Sequence, residues 1–237
     1  MTGIFVGLTA EDASVEAARR IREAIVNARQ ARSVAHVALA GGGTPVRAYE
    51  ILAGELDDWT GVEVWFGDER AVGAEDPDSN YKMLAETLMA SGGPDPANVH
   101  RCRGELGAEE AASAYAGLLG ERVPAGADGL PVLDLAFQGL GPDGHTASLF
   151  PNHPGLDATG ICVPIHNSPK PPADRITMTL GVLRVARDIL FMATGESKAA
   201  PAKALLGAPD RAVPASLLGG ERTVLVADAA AVPENRA

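Results

Sequence analysis

Short apolar runs alternate along the chain with segments whose apolar residues recur every three or four positions. Residues 4–8, 34–40, 62–66 and 132–138 are runs of the first kind and predict strands. Between the first two, Ala17, Ile21, Ala24, Ile25 and Ala28 share one face of a helix that runs to about residue 31. Thr9 stands at its start as an N-cap, with Asp12 three residues on. A helix ending at Leu52 follows the second strand, and residues 79–90 and 108–122 read as two more helices. In the last third, residues 161–165, 175–180, 189–193 and 223–226 read as strands and 195–206 as a helix. Several strands are apolar nearly throughout, as expected when helices cover both faces. The pattern predicts an α/β fold: an open, mostly parallel, doubly wound sheet with helices on both faces, Rossmann-like. Ligands of such sheets bind outside the carboxyl ends of the strands. The Gly- and Pro-rich stretches 91–98, 124–131 and 167–173 read as loops rather than linkers, so residues 1–237 read as a single domain. Residues 229–237 read as a frayed end.

Composition narrows the function classes. A chain of 237 residues can bury roughly 70% of its unfolded surface, so it needs no disulfide or metal to hold a core. Aromatic residues are only 4%, which leaves the core to Ala, Val, Leu and Ile. The net charge of -11 argues against nucleic acid or an anionic membrane as partner, though not against a small anionic ligand in a local cleft. Cys102 and Cys162 form no pattern, which fits a reduced compartment. No apolar run approaches the roughly 20 residues of a membrane span. The first residues lack a basic region and reach Glu11-Asp12 at once, unlike a signal peptide. The expectation is a cytoplasmic enzyme.

Residues suited to chemistry gather at the ends of the predicted strands. Gly41, Gly42 and Gly43 follow one strand, and Thr44 as N-cap with Pro45 at the first helical position opens the next helix. Glycines let backbone approach a ligand, and free N–H groups with the helix dipole favour an anion. These four residues therefore read as a phosphate site, a plain tight turn being the alternative. Gly139, Gly141 and Gly144 match the dinucleotide fingerprint, but no acid stands at the end of the next strand, near Ile165-His166, and Pro142 breaks the turn. A nicotinamide or flavin site is rejected.

Asp143 and His145 lie two residues apart just past an apolar strand. Imidazole titrates near neutrality and suits acid–base work, and a neighbouring carboxylate can orient it. The alternative is a loop histidine bonded to backbone. His36, His100, His153 and His166 lack such surroundings. Asp68, Glu69 and Arg70 close another strand and could bind sugar hydroxyls or steady an oxyanion, or form a solvated turn. Arg175 and Lys198 each begin or end an element and could reach over the same cleft, although alone either reads as a surface charge.

Six segments, taken together and in order, resemble the 6-phosphogluconolactonase family, within the larger group that includes glucosamine-6-phosphate isomerase/deaminase. They are LAGGGTP at 39–45, VWFGDERAV at 64–72, DSNYKM at 78–83, GLGPDGHTASLFP at 139–151, RITMT at 175–179 and GESK at 195–198. The resemblance extends from about residue 4 to 227 and implies hydrolysis of 6-phospho-D-glucono-1,5-lactone to 6-phosphogluconate, in the oxidative pentose phosphate pathway. By that likeness the glycine loop with Thr44 holds the 6-phosphate, helped by Arg175 and Lys198. His145 is the general base for the attacking water, and Asp68 and Arg70 line the reacting end of the sugar acid. A lactone carbonyl is already electrophilic, so one positioned base and a cation near the developing oxyanion suffice, without cofactor or metal. The sequence carries no G-x-S-x-G elbow, H-E-x-x-H motif or Cys/His cluster. The implied partner is a small sugar-phosphate lactone, with neither nucleic acid nor membrane, and the chain acts as a monomer.

Two rival readings remain. The amino-sugar isomerase branch places Glu where this chain has Phe150, and Tyr where it has Arg70. Losing a carboxylate and gaining a cation point toward lactone hydrolysis. A non-catalytic sugar-phosphate sensor would keep Thr44, Arg175 and Lys198 without needing His145. It would usually carry a DNA-binding module, for which no segment is left over.

Overall fold

The structure is a computed structural model and describes residues 2–232. In chain order its strands are β1 (Gly3–Gly7), β2 (Ala35–Leu39), β3 (Val62–Phe66), β4 (Asp68–Arg70), β5 (Leu135–Gly139), β6 (Cys162–Ile165), β7 (Arg175–Met178), β8 (Asp188–Ala193) and β9 (Thr223–Asp228). The helices are α1 (Ala10–Arg32), α2 (Val46–Glu55), α3 (Asn80–Leu84), α4 (Ala108–Arg122), α5 (Leu180–Val185) and α6 (Ala199–Leu205). Six strands form one parallel sheet in the order β1-β9-β8-β5-β2-β3.

Alternate residues of the central strands serve two separate cores, because successive side chains of a strand point to opposite faces. Leu135, Phe137, Leu190 and Met192 pack with α1 and α2 through Ile21, Ile25, Tyr49 and Leu52. Ala136, Ile189, Phe191 and Ala193 pack with Tyr115, Leu183 and Leu205 from α4, α5 and α6. The doubly wound α/β arrangement is thus the one the apolar runs predict. At the head of α1, Thr9 and Asp12 make the expected capping box: Asp12 N–H donates to Thr9 Oγ1 at 3.2 Å and Thr9 N–H to Asp12 Oδ2 at 2.9 Å.

Several expectations need correction. β4, β7 and β6 leave the main sheet and form a small antiparallel one, in that order. A parallel pair needs a crossover of a dozen or more residues, and the loop between Ile165 and Arg175 is shorter, so the chain reverses and pairs antiparallel. Residues 175–180 are not all strand: Thr179 caps a helix instead, accepting from Val182 N–H at 3.4 Å, and α5 begins at Leu180. The predicted helix 195–206 opens as a 3-10 turn, Glu196–Lys198, before α6.

At the C-terminal end, residues 229–232 are packed rather than frayed. Ala231 is fully buried and its N–H donates to Asp228 Oδ1 at 2.8 Å. Residues 233–237 lie outside the described residues. Among the described residues no helix is long and apolar enough to cross a membrane.

Candidate active site

The carboxyl ends of β2, β3 and β5, with β4, β7 and the turn after β8, enclose a cleft of ≈ 230 Å³. Its walls include Gly41, Gly42, Gly43, Thr44, Asp68, Arg70, His145, Arg175 and Lys198. The residues that the sequence singled out for chemistry line it except Asp143, which stands behind His145, and Glu69, which is buried away from it.

The glycine loop carries unused donors. Among the described residues the N–H groups of Gly42, Gly43 and Thr44 make no hydrogen bond. α2 begins one residue later than expected: Pro45, not Thr44, is its N-cap, with no side-chain cap. The shift releases the Thr44 hydroxyl from capping and leaves the first N–H groups of α2 open. Open N–H groups at a helix start, with the dipole behind them, suit an anion.

The loop after β5 is built to hold one imidazole. Gly144 has φ +85, a conformation that favours glycine, and its N–H closes a turn on Gly141 O at 2.9 Å. A Cβ on Gly141 would lie 2.1 Å from His145 Nδ1, so only glycine admits the ring there. His145 Nδ1 hydrogen-bonds Asp143 Oδ1. Burial works against the Asp143 charge, but the hydrogen bond and charge of His145 outweigh it and hold the carboxyl below its usual value. An ionised Asp143 fixes the Nδ1–H tautomer and leaves Nε2 as the basic nitrogen. Phe150, fully buried, packs against the imidazole at 4.7 Å between ring centroids.

The Asp68-Glu69-Arg70 triplet divides its labour. Glu69 is buried and faces away from the cleft, accepting from the backbone N–H groups of Asn80 (2.7 Å), Tyr81 (2.9 Å) and Arg70 (2.9 Å). Burial pushes its pKa up while those donors pull it down. It anchors the start of α3. Asp68 and Arg70 point the other way, as alternation along β4 requires. Arg70 donates through Nη1 to Asp78 O, and its Nε has no partner among the described residues.

Two cations face the cleft in different states. Arg175 is 4% exposed and largely committed to the protein. Nε donates to Pro172 O (3.1 Å), Nη2 to Pro171 O (2.8 Å) and Lys170 O (3.2 Å), and Nη1 to Ser148 Oγ (3.4 Å). Nη1 also lies 3.9 Å from Asp68 Oδ2. A guanidinium has five N–H donors, so one remains for a ligand. Lys198 is half-buried and has no protein partner among the described residues. Burial pushes its pKa down, and the nearby Asp143 partly restores it.

Sequence reasoning passed over several residues that complete the site. Gln138 is 2% exposed and accepts from Thr146 Oγ1 at 3.1 Å, which ties β5 to the His145 loop. A polar residue closing an apolar strand was the available signal. Ser148 is fully buried and donates to Asp68 Oδ2 at 2.5 Å. Lys170 brings its Nζ to 3.9 Å from Asp143 Oδ2, from a loop read only as a connection. Asn80 lines the cleft and donates to Asp68 O at 2.8 Å. The other histidines have structural partners: His36 and His100 lie around Trp65, His153 accepts from Gly155 N–H, and His166 pairs with Asp174.

Comparisons with known proteins agree with this architecture. The profile of a family described as "Glucosamine-6-phosphate isomerases/6-phosphogluconolactonase" matches residues 8–226. A 6-phosphogluconolactonase of Streptomyces coelicolor is 38% identical over 231 residues, covering 92% of this chain and 88% of the relative. The human 6-phosphogluconolactonase is 43% identical over 152 residues, 64% of this chain and 57% of its own. The solved 6-phosphogluconolactonase of Trypanosoma brucei superposes with a TM-score of 0.88 at 28% identity, over 100% of this chain and 99% of that one. A monomeric glucosamine-6-phosphate deaminase shares the fold, with a TM-score of 0.81 at 22% identity over 97% and 98% of the two chains. With a profile match over nearly its whole length and a lactonase relative of comparable extent, the chain belongs to the glucosamine-6-phosphate isomerase/6-phosphogluconolactonase family.

Proposed function

We propose that the protein hydrolyses 6-phospho-D-glucono-1,5-lactone to 6-phosphogluconate, and that His145 activates the water. The observation that carries this reading is a basic imidazole nitrogen, oriented by Asp143, in one cleft with a loop of unused backbone donors. The loop of Gly41, Gly42, Gly43 and Thr44, the open start of α2 and the ammonium of Lys198 receive the 6-phosphate. Arg175 contributes its one remaining donor and otherwise holds the wall.

In the reaction, a water attacks C1 and His145 Nε2 takes its proton. Negative charge gathers on the carbonyl oxygen, where the Arg70 guanidinium, with its unpartnered Nε, stabilises it. The intermediate collapses by breaking the C1–O5 bond, and the imidazolium returns the proton to O5. Asp68, fixed by Ser148 and Asn80, keeps this end of the cleft polar and aligned.

The isomerase branch is disfavoured by Phe150. Where the resemblance places that branch's Glu, this chain has a fully buried ring beneath His145 and 5.5 Å from the Arg175 guanidinium. The same reading makes the protein a cytoplasmic monomer that needs no metal or cofactor. The test is one preparation assayed twice, for lactone hydrolysis and for ammonia release from glucosamine-6-phosphate. Hydrolysis without ammonia supports the proposal, and ammonia without hydrolysis overturns it.

A further inference from the structure

Asn80 is the first residue of α3 and is 1% exposed, yet it lines the cleft. Its backbone N–H is taken by Glu69 and its Nδ2 donates to Asp68 O at 2.8 Å, with Asp68 Oδ1 at 3.4 Å. Both oxygens near Nδ2 are acceptors, which sets the amide's orientation. Oδ1 is therefore turned away from Asp68 and toward the glycine loop, where a Cβ on Gly41 would fall 1.8 Å from it. That oxygen has no hydrogen-bond partner among the described residues. A buried amide oxygen without a donor is costly unless something supplies one.

The donors around it do not turn to it. The Ser148 and Thr146 hydroxyls donate elsewhere, and the Arg175 nitrogen with a donor to spare, Nη1, lies beside Asp68 Oδ2. Asn80 touches both ends of the site, Gly41 on the phosphate side and Asp68 on the reacting side. A ligand spanning the two passes over it, and a sugar ring presents O–H donors along that span.

We infer that Asn80 is a substrate-binding residue, whose Oδ1 accepts a hydrogen bond from one ring hydroxyl of the lactone and so selects the sugar. The inference rests on the lactonase reading. It makes Asn80 a recognition residue, distinct from the base, and it explains why Gly41 must be glycine: a side chain there would displace the acceptor.

The experiment compares wild type and Asn80→Ala on 6-phosphogluconolactone and on its 2-deoxy, 3-deoxy and 4-deoxy analogues. Wild type should lose roughly 10- to 100-fold in kcat/KM on one of the three, because the acceptor is then left bare. Asn80→Ala should fall to a similar level on the full lactone and show no further penalty on that analogue. Should Asn80→Ala fail to fold by thermal melting, Asn80→Ser, too short to reach the hydroxyl, gives the same comparison. Undiminished discrimination in the variant, or none in wild type, overturns the assignment while leaving the lactonase reading intact. A wild type that hydrolyses none of the four overturns that reading and this one together.

Discussion

Ser148 Oγ lies 2.5 Å from Asp68 Oδ2 across eighty residues of sequence, and the same hydroxyl accepts from Arg175 Nη1 at 3.4 Å. One buried hydroxyl thus joins the loop after β5 to both β4 and β7. Ser148→Ala removes the donor that holds Asp68 and the acceptor that holds Arg175. A buried polar group left unsatisfied costs about 1–3 kcal/mol. In a chain this long each kcal/mol lowers the melting temperature by about 2–4 °C. The expected result is a folded, less stable enzyme with kcat reduced about tenfold, read by calorimetry and steady-state kinetics.

His145→Ala should lower kcat by about 10²–10⁴-fold, the usual contribution of a general base, with KM little changed. Asp143→Asn keeps the shape but removes the charge that fixes the Nδ1–H tautomer, so kcat should again fall while lactone affinity stays. Full activity in a stable His145→Ala protein would show that the base lies elsewhere.

The glycine loop offers a contrast between three neighbours. At Gly43 a Cβ meets nothing within 4 Å and φ is unexceptional, so Gly43→Ala should leave the melting temperature unchanged. If the loop cradles phosphate, the added methyl should still raise KM for the phosphorylated lactone. Gly42 has φ +85, and Gly42→Ala should cost about 1–2 kcal/mol from backbone strain. Gly41→Ala must push Asn80 aside and should damage both stability and turnover. Thermal melting and KM, measured side by side, separate the three.

Lys198 supplies the pH dependence. Burial lowers its pKa, so as pH rises its charge is lost earlier than from an exposed lysine, which titrates near about 10.4. Its contribution to phosphate binding is fully present below its pKa and fades as pH climbs through it. Calorimetric affinity for 6-phosphogluconate should therefore weaken on the alkaline side, at lower pH than an exposed lysine would give. Lys198→Arg keeps its charge at every accessible pH and should flatten that limb. Lys198→Ala should weaken binding below that limb, converge with wild type above it, and so abolish the limb.

Phe150→Glu restores the carboxylate expected in the isomerase branch but should release no ammonia from glucosamine-6-phosphate. Phe150 is fully buried, and an unpaired carboxylate there costs several kcal/mol. Arg175 is near enough to pair with it instead of leaving it to act as a base. A lower melting temperature with weakened lactonase activity is expected; clear deamination would show that one residue divides the two chemistries.

The sequence by itself determined the parallel α/β core, because periodicity is local: each apolar run and each amphipathic face of α1 and α4 is written in consecutive residues. It also determined the glycine loop and the pairing of Asp143 with His145, two positions apart in one turn. What the tertiary structure decided is everything that depends on partners far along the chain. Glu69 and Asp68 are adjacent acids in the sequence, and only the packing of α3 against β4 makes one an anchor and the other a wall of the cleft. Arg175 reads as a free cation, and only the closing of the 166–174 loop around it spends its donors on three carbonyl groups. The small antiparallel sheet, Ser148 beneath Asp68 and the bare oxygen of Asn80 follow from the same cause. A hydrogen bond is decided by which groups burial brings within 3 Å, and spacing along the chain carries that information only within a turn or two.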